Sequence, residues 1–362
     1  MRYHGGSGRV KQKGVLDFSI NTNPLGVPIE LENAIAECSV KEVYSRYPDY
    51  DYIELKRAIA YFYENIDYNN IIPCNGAAEA LNLAILSLKP KTLIIVSPSY
   101  GDLDYELLCM SLGFKCIHYE MMSIGERFIL DVEGLIDEAR SKPKPVIVLS
   151  NPNNPTGTVI PVKDVEDIAR ELRGKAFIVV DEAYAELSSS YTGLLGRYLD
   201  ENMAVVRTFT KVFGIPGLRI GFLYTESKKA LERIDGIRQP WNVNAIIECA
   251  LKKALTSHRE SLWKYIKGSQ AFIALQRVEL TEKLRRLGYR VYESNTNFLL
   301  LEHEWIDSIE LYNTLLRRNR IIVRPAHTFH GLTRHHTRVA VRRKWENELL
   351  VKALAETSPS KR

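Results

Sequence analysis

Ala204-Val-Val206 followed by Thr208-Phe-Thr-Lys211-Val-Phe-Gly-Ile-Pro-Gly217-Leu-Arg219-Ile-Gly221 is the stretch from which the rest of the chain can be read. Ala204–Val206 is a short apolar, β-branched run of the kind that forms a buried strand, and Pro216-Gly217 signals a sharp turn. Lys211 therefore lies just past the carboxyl end of a strand, where sites form in open α/β sheets. A lysine is by default a surface residue. Here a hydroxyl (Thr208) and a guanidinium (Arg219) flank it, and both are groups that bind phosphate.

Outward from this segment, Thr92–Val96, Val146–Leu149 and Phe177–Val180 are further β-branched runs. Ala78–Leu88, Asp131–Ser141 and Val162–Arg173 carry apolar residues at helical spacing. Strand–helix alternation of this kind predicts an α/β domain with a mostly parallel, doubly wound sheet. After about residue 285 the pattern changes. Strand-like runs at Tyr289–Tyr292, Asn297–Leu301, Ile321–Val323 and Val339–Val341 interleave with helices near Ile306–Arg318 and Trp345–Glu356, which predicts a small α+β unit.

Several other residues fall where chemistry is expected. Asp181 ends the apolar run 177–180, a costly place for a carboxylate unless it is paired, and Tyr184 follows it. Ser150-Asn-Pro-Asn-Asn154-Pro-Thr-Gly157 closes the preceding strand with generic turn formers. Asn75-Gly76-Ala77-Ala78-Glu79 opens a helix, and a small-residue turn at a helix N-terminus can cradle a phosphate. Tyr100 follows the first strand in Ser97-Pro-Ser-Tyr100.

Taken together these segments resemble the fold-type I enzymes that depend on pyridoxal 5'-phosphate (PLP). Thr208–Gly221 matches their S/T-x-S/T-K…G-x-R-x-G signature, Asp181–Tyr184 their D-E-A-Y, and Asn151–Gly157 their N-P-x-N-P-T-G. The resemblance implies a large PLP-binding domain, residues 30–280, and a small α+β domain built from 1–29 and 281–357. It also implies a set of roles. Lys211 would carry the cofactor as a Schiff base and move protons at the substrate's Cα. Asp181 would pair with the pyridine nitrogen, Tyr184 and Asn154 would contact the phenolic oxygen, and Tyr100 would stack on the ring. Gly76, Ala77, Ala78, Thr208 and Arg219 would surround the phosphate. Tyr47, in Arg46-Tyr-Pro-Asp49, would reach the phosphate in a partner subunit, which implies a homodimer.

A finer resemblance runs from about residue 4 to 350. His4-Gly-Gly6, Leu16–Gly26, Arg46–Tyr52, Gln239–Asn244 and Arg338-Val-Ala-Val-Arg342 are together similar to threonine-phosphate decarboxylases of cobalamin biosynthesis. Histidinol-phosphate aminotransferases share Asn23-Pro24, Arg46–Asp49 and the cofactor set. They usually lack the His-Gly-Gly and typically carry glycine at the place of Arg342. Ser7 departs from the decarboxylases, which often have asparagine there. The resemblance implies a lyase acting on L-threonine O-3-phosphate, with an aminotransferase for a phosphorylated substrate as the alternative. Arg338 would bind the substrate carboxylate through its bidentate fork. His4, Arg324 and Arg342 would hold the substrate phosphate, and Asn21, Asn154 and Asn297 would line the pocket. A regulatory PLP module would need a DNA-binding extension, for which the short stretch before the first fold motif leaves no room.

Composition excludes other classes. A chain of 362 residues is long enough for two cores. Its 49 Lys and Arg against 44 Asp and Glu give a formal charge of only +5, too weak and dispersed for nucleic acid. Cys38, Cys74, Cys109, Cys116 and Cys249 are odd in number and lack C-x-x-C spacing. They read as reduced thiols of a cytoplasmic protein, with neither a disulfide frame nor a metal site. The N-terminus has no apolar signal-peptide core, and no run is long enough to span a membrane.

Overall fold

A computed structural model describes residues 5–6, 14–191, 193–197 and 199–358. Its strands are β1 (Leu16–Asp17), β2 (Ile71–Cys74), β3 (Thr92–Ser97), β4 (Lys115–Glu120), β5 (Met122–Ile124), β6 (Arg127–Ile129), β7 (Pro145–Ser150), β8 (Phe177–Asp181), β9 (Met203–Thr208), β10 (Gly221–Tyr224), β11 (Arg290–Val291), β12 (Phe298–Glu302), β13 (Ile321–Ile322), β14 (Arg324–Pro325) and β15 (His336–Ala340). Seven of them form one sheet in the order β2-β10-β9-β8-β7-β3-β4, in which only β10 runs antiparallel to its neighbours.

The central strands are apolar throughout because both faces of this sheet are covered. Ile94, Val96, Ile178 and Val180 pack into one core, and Leu93, Ile95, Val179 and Val206 pack into a second on the opposite face. This is the period of two of a pleated strand, with neither side left to solvent. Each such fully buried side chain contributes roughly 1.5–3 kcal/mol. At the carboxyl edge the apolar runs give way to Ser97, Ser150, Asp181 and Thr208, with Ser150 and Asp181 as register partners. The sheet thus delivers polar side chains to one edge.

The predicted helices are present with small shifts at their ends. Asp131 is the N-cap of Val132–Ser141 and accepts from the Gly134 N–H, and Asp307 caps Ser308–Asn319 in the same way. The doubly wound α/β reading therefore stands. Three strands of the large sheet were not foreseen. β4 is a partly exposed edge strand, β2 contains Pro73, and β10 is only four residues long.

A second sheet, β11-β12-β15-β14, covers a third core, and β1 pairs in parallel with β13. The segment around residues 16–17 thus joins the C-terminal part of the chain, and Arg259–Arg286, a helix of 28 residues, carries Leu262, Ile266 and Ile273 into the first core and Leu280 and Leu284 into the third. No helix among the described residues is long and apolar enough to cross a membrane.

One reading from composition is corrected. Cys38 and Cys249 form a disulfide. Cys38 ends helix Ile29–Cys38 and Cys249 lies in helix Ala245–Ser257. The two are 211 residues apart, so their pairing follows from helix packing and left no spacing pattern in the sequence. Cys74, Cys109 and Cys116 are free.

Candidate active site

The carboxyl edge of the large sheet and strands β14 and β15 of the small one enclose a cavity lined by Asn21, Tyr100, Asn154, Tyr184, Lys211, Arg324 and Arg338, among others. Asp181 lies beneath it, 5% exposed, with its carboxylate accepting from the Ala183 N–H at 3.0 Å. Burial pushes this carboxyl up to about 6, against the opposing pull of that N–H and of Lys211. Its neighbour Glu182 is fully buried and ion-paired with Arg207 at 2.6 Å, which fixes the turn after the strand.

Lys211 sits in the one-turn helix Phe209–Val212, which Thr208 caps by accepting from the Thr210 N–H. Burial lowers its amine to about 8, aided by Arg338 and Arg219 and opposed by Asp181. Its Nζ lies 6.0 Å from the centre of the Tyr184 ring. Tyr100 faces the same space, its phenol pushed up to about 12 by burial and by Tyr184 and Asp181.

One end of the site is a cradle. Gly76 has φ +78°, a value that favours glycine, and a Cβ there would lie 2.6 Å from Arg219 Nη2. The N–H groups of Ala77 and Ala78 open the helix Ala77–Leu88, where no preceding carbonyl of the helix can take them. A guanidinium poised over a side-chain-free helix N-terminus suits a phosphate group. The Thr208 hydroxyl is turned to the Ile220 carbonyl at 2.8 Å and holds the start of its own helix. A buried acid, a lysine of depressed basicity and an anion cradle within one site fit PLP.

At the other end, Arg338 is 5% exposed. It donates to Asn154 Oδ1 at 2.5 Å and to the Ser19 carbonyl at 2.6 Å. With its amide oriented by its hydrogen-bonding neighbours, Asn21 Oδ1 accepts from Arg338 Nε at 3.3 Å. Arg324 donates to the Pro325 carbonyl at 2.8 Å and to Thr328 Oγ1 at 2.7 Å, and it lines the cavity.

Other expected residues lie elsewhere. Arg342, expected at the substrate phosphate, is not among the residues lining the cavity: its guanidinium is paired with Glu346 at 2.6 Å and donates to the Asp17 carbonyl at 3.1 Å. Arg342 lies beyond β15, which ends at Ala340, and there its side chain meets Glu346 of the helix Lys344–Ala355. Asn297 donates to the Thr22 carbonyl and is outside the lining. Tyr47 is 77% exposed and stacks on Trp241 at 4.2 Å. His4 lies outside the described residues.

The cavity also holds residues not foreseen, notably Asp102, Phe329 and Gly5. Asp102 accepts from the Ser99 N–H (2.8 Å), the His330 N–H (3.0 Å) and Ser97 Oγ (3.1 Å), and burial raises its carboxyl to about 7. The spacing Ser99-Tyr-Gly-Asp102 at a helix start was a readable capping pattern. The contact to His330 had no counterpart in the sequence.

Comparison with known proteins agrees with this geometry. The family model described as aminotransferase class I and II matches residues 13–354. The chain is 29% identical to a threonine-phosphate decarboxylase from Salmonella typhimurium, over 97% of this chain and 95% of that one. It is 30% identical to a histidinol-phosphate aminotransferase from Pyrococcus furiosus, over 93% and 90%. Among solved structures, the histidinol-phosphate aminotransferase from Clostridium acetobutylicum is similar with a TM-score of 0.81 at 29% identity, covering 95% of this chain and 99% of that one. With a family match across nearly the whole chain and a site of the corresponding chemistry, the protein belongs to the aminotransferase class I and II family, fold-type I enzymes whose cofactor is pyridoxal 5'-phosphate.

Proposed function

We propose that this enzyme decarboxylates L-threonine O-3-phosphate to (R)-1-aminopropan-2-yl phosphate, releasing CO2. The observation that carries this reading is the lie of Gly5-Gly6. The Gly6 N–H donates to Ser19 Oγ at 2.8 Å, and a Cβ on Gly5 would lie 2.3 Å from the Ser19 carbonyl. The glycine pair of the decarboxylase-like N-terminus thus packs at the cavity wall, beside the Ser19 carbonyl that orients Arg338. Two buried arginines, Arg338 and Arg324, then suit a substrate with two anionic groups, a carboxylate and a phosphate.

Bound PLP supplies an electron sink that makes the bonds at the substrate's Cα breakable. Asp181 would hold the ring nitrogen, Tyr184 and Asn154 the phenolic oxygen, Tyr100 a ring face, and Arg219 with the Gly76–Ala78 turn the phosphate. Arg338 presents its remaining N–H groups to the substrate carboxylate, so Asn154 and the Ser19 carbonyl set the angle at which that carboxylate is held. Arg324 takes the substrate phosphate. Burial and the nearby arginines lower the Lys211 amine to about 8 in the cofactor-free protein, and in the reaction Lys211 would deliver a proton to Cα after CO2 has left.

The alternative is amino transfer to or from a phosphorylated substrate such as histidinol phosphate, which the aminotransferase relatives support at similar identity. Purified holoenzyme with threonine O-3-phosphate and no 2-oxo acid separates the two. CO2 evolution is expected. Strict dependence on 2-oxoglutarate, with conversion of the cofactor to its amine form by glutamate, would replace this reading by the transferase. The same proposal includes a homodimer through the exposed face carrying Tyr47, Tyr50 and Trp241. It also takes the two sheets as two domains, 30–280 and 1–29 with 281–357. A cytoplasmic setting follows from the charged, phosphorylated substrate, not from the cysteines.

A further inference from the structure

We propose that Glu106, His118 and His330 form a site for a divalent transition metal with zinc-like ligand preference, on the outer side of the cavity wall. One potential ligand atom from each lies within 4.8 Å of the others. The three come from separate elements: helix Asp102–Leu112, strand β4, and the loop between β14 and β15. The imidazoles of His118 and His330 stack with centroids 3.8 Å apart.

Hydrogen bonding around His118 carries the argument. Ser97 Oγ donates to Asp102 Oδ1 at 3.1 Å and lies 2.8 Å from His118 Nδ1. With its proton directed to the acid, its oxygen accepts from Nδ1–H, and the ring is then the Nδ1–H tautomer or the imidazolium. That tautomer leaves Nε2 with a lone pair, yet Nε2 faces the Glu106 carboxylate at 2.8 Å. A proton on Nε2 would make this an imidazolium–carboxylate pair, and a metal ion in its place would take both lone pairs. A carboxylate and two imidazoles are a zinc ligand set, and an outer hydrogen bond to the far ring nitrogen is the usual support for a metal-bound histidine. Glu120, 3.0 Å from His330 Nε2, supplies a second carboxylate beside the site. The side chains of Glu106 and His330 are 40% and 37% exposed, so an ion has a way in. The same loop supplies Thr328 and Phe329 to the cavity, so a metal here would brace that wall. Glu106 and His118 stand 12 residues apart and His330 comes from a distant loop, a spacing that carries no motif.

The test uses holoenzyme stripped with chelator, exchanged into zinc, desalted and assayed for bound metal. Wild type and the control His258→Gln are expected to retain about one equivalent, with His330→Gln and Glu106→Gln binding roughly tenfold weaker or worse. Zinc should raise the melting midpoint of the first pair only. Absence of retained zinc in wild type, or equal retention in His330→Gln, overturns the site in favour of a proton held between His118 and Glu106. Cobalt titration of wild type gives a readout free of any substitution. A visible d–d band supports the site, and its absence counts against it. Neither result depends on which reaction the cofactor performs.

Discussion

Arg338 Nη1 donates to Asn154 Oδ1 at 2.5 Å, across 184 residues of chain, and so ties the small sheet to the carboxyl edge of the large one. Arg338 lies in β15 and Asn154 follows β7. Any movement between the sheets therefore moves the group proposed to hold the substrate carboxylate relative to Lys211.

Arg338→Lys tests that role. A lysine keeps the charge but cannot keep contacts to Asn154 and Ser19 while also offering a fork to a carboxylate. Losing a charged hydrogen bond of about 1.5–3 kcal/mol predicts a rise in KM of roughly 10- to 100-fold. Steady-state kinetics with the phosphorylated amino acid give the answer, and an unchanged KM removes the assignment.

Lys211→Ala should abolish the visible absorbance of the covalently held cofactor and let PLP wash out on dialysis. A normal bound-cofactor spectrum in this variant would show that another residue holds it.

Asp181 carries opposite effects on stability and on activity. In the cofactor-free protein its carboxyl titrates at about 6 against the ordinary 3.8, because burial disfavours the anion. A raised acid pKa means the folded state binds more protons than the unfolded one between those values. Stability is therefore lost as pH climbs from about 4 to 6 and stays lost above. Asp181→Asn removes that penalty, so the cofactor-free variant should be more stable at pH 7, by at most about 3 kcal/mol, and unchanged below pH 4. Thermal melts at the two pH values check this, and equal midpoints at pH 7 would refute it. With cofactor, the same variant should lose activity by roughly 100-fold or more, since no anion remains to keep the ring nitrogen protonated.

Gly76→Ala would place a Cβ against Arg219 in a backbone conformation that costs about 1–3 kcal/mol. The guanidinium is the more mobile of the two and should be displaced. PLP affinity is then expected to fall at least roughly tenfold in an absorbance titration, a loss of one to two charged hydrogen bonds. Unaltered affinity would mean the phosphate is held elsewhere.

Arg342→Ala should lower stability by about 2 kcal/mol, by leaving buried Glu346 without its ion pair. KM for the phosphorylated substrate should not change, because the guanidinium is turned away from the cavity. A large rise in KM with stability intact would restore Arg342 to the substrate site.

The cofactor end of the site was legible because its residues follow strands in short, local patterns. An apolar run buried on both faces predicts a parallel strand, and the first polar residue after it falls at the shared edge of the sheet. For that reason Ser150, Asp181 and Thr208 could be placed at one edge from the chain alone, and the motifs that follow them brought Asn154 and Lys211 to the same place by resemblance. Gly76 was readable too, since a side-chain-free turn before a helix is local.

Long-range packing was beyond the reach of sequence. Arg338 and Arg342 occupy equivalent-looking places in one run, yet the first meets Asn154 and the second Glu346. The Cys38–Cys249 bond, the Asp102–His330 contact and the Glu106–His118–His330 cluster join residues from different elements. Alternation and turn chemistry act over a few residues, so they determined the strands and the polar edge, while the cofactor was implied by the family resemblance of the motifs at that edge. The partners of each buried charge depend on how elements distant in the chain pack, and only the tertiary structure decided those.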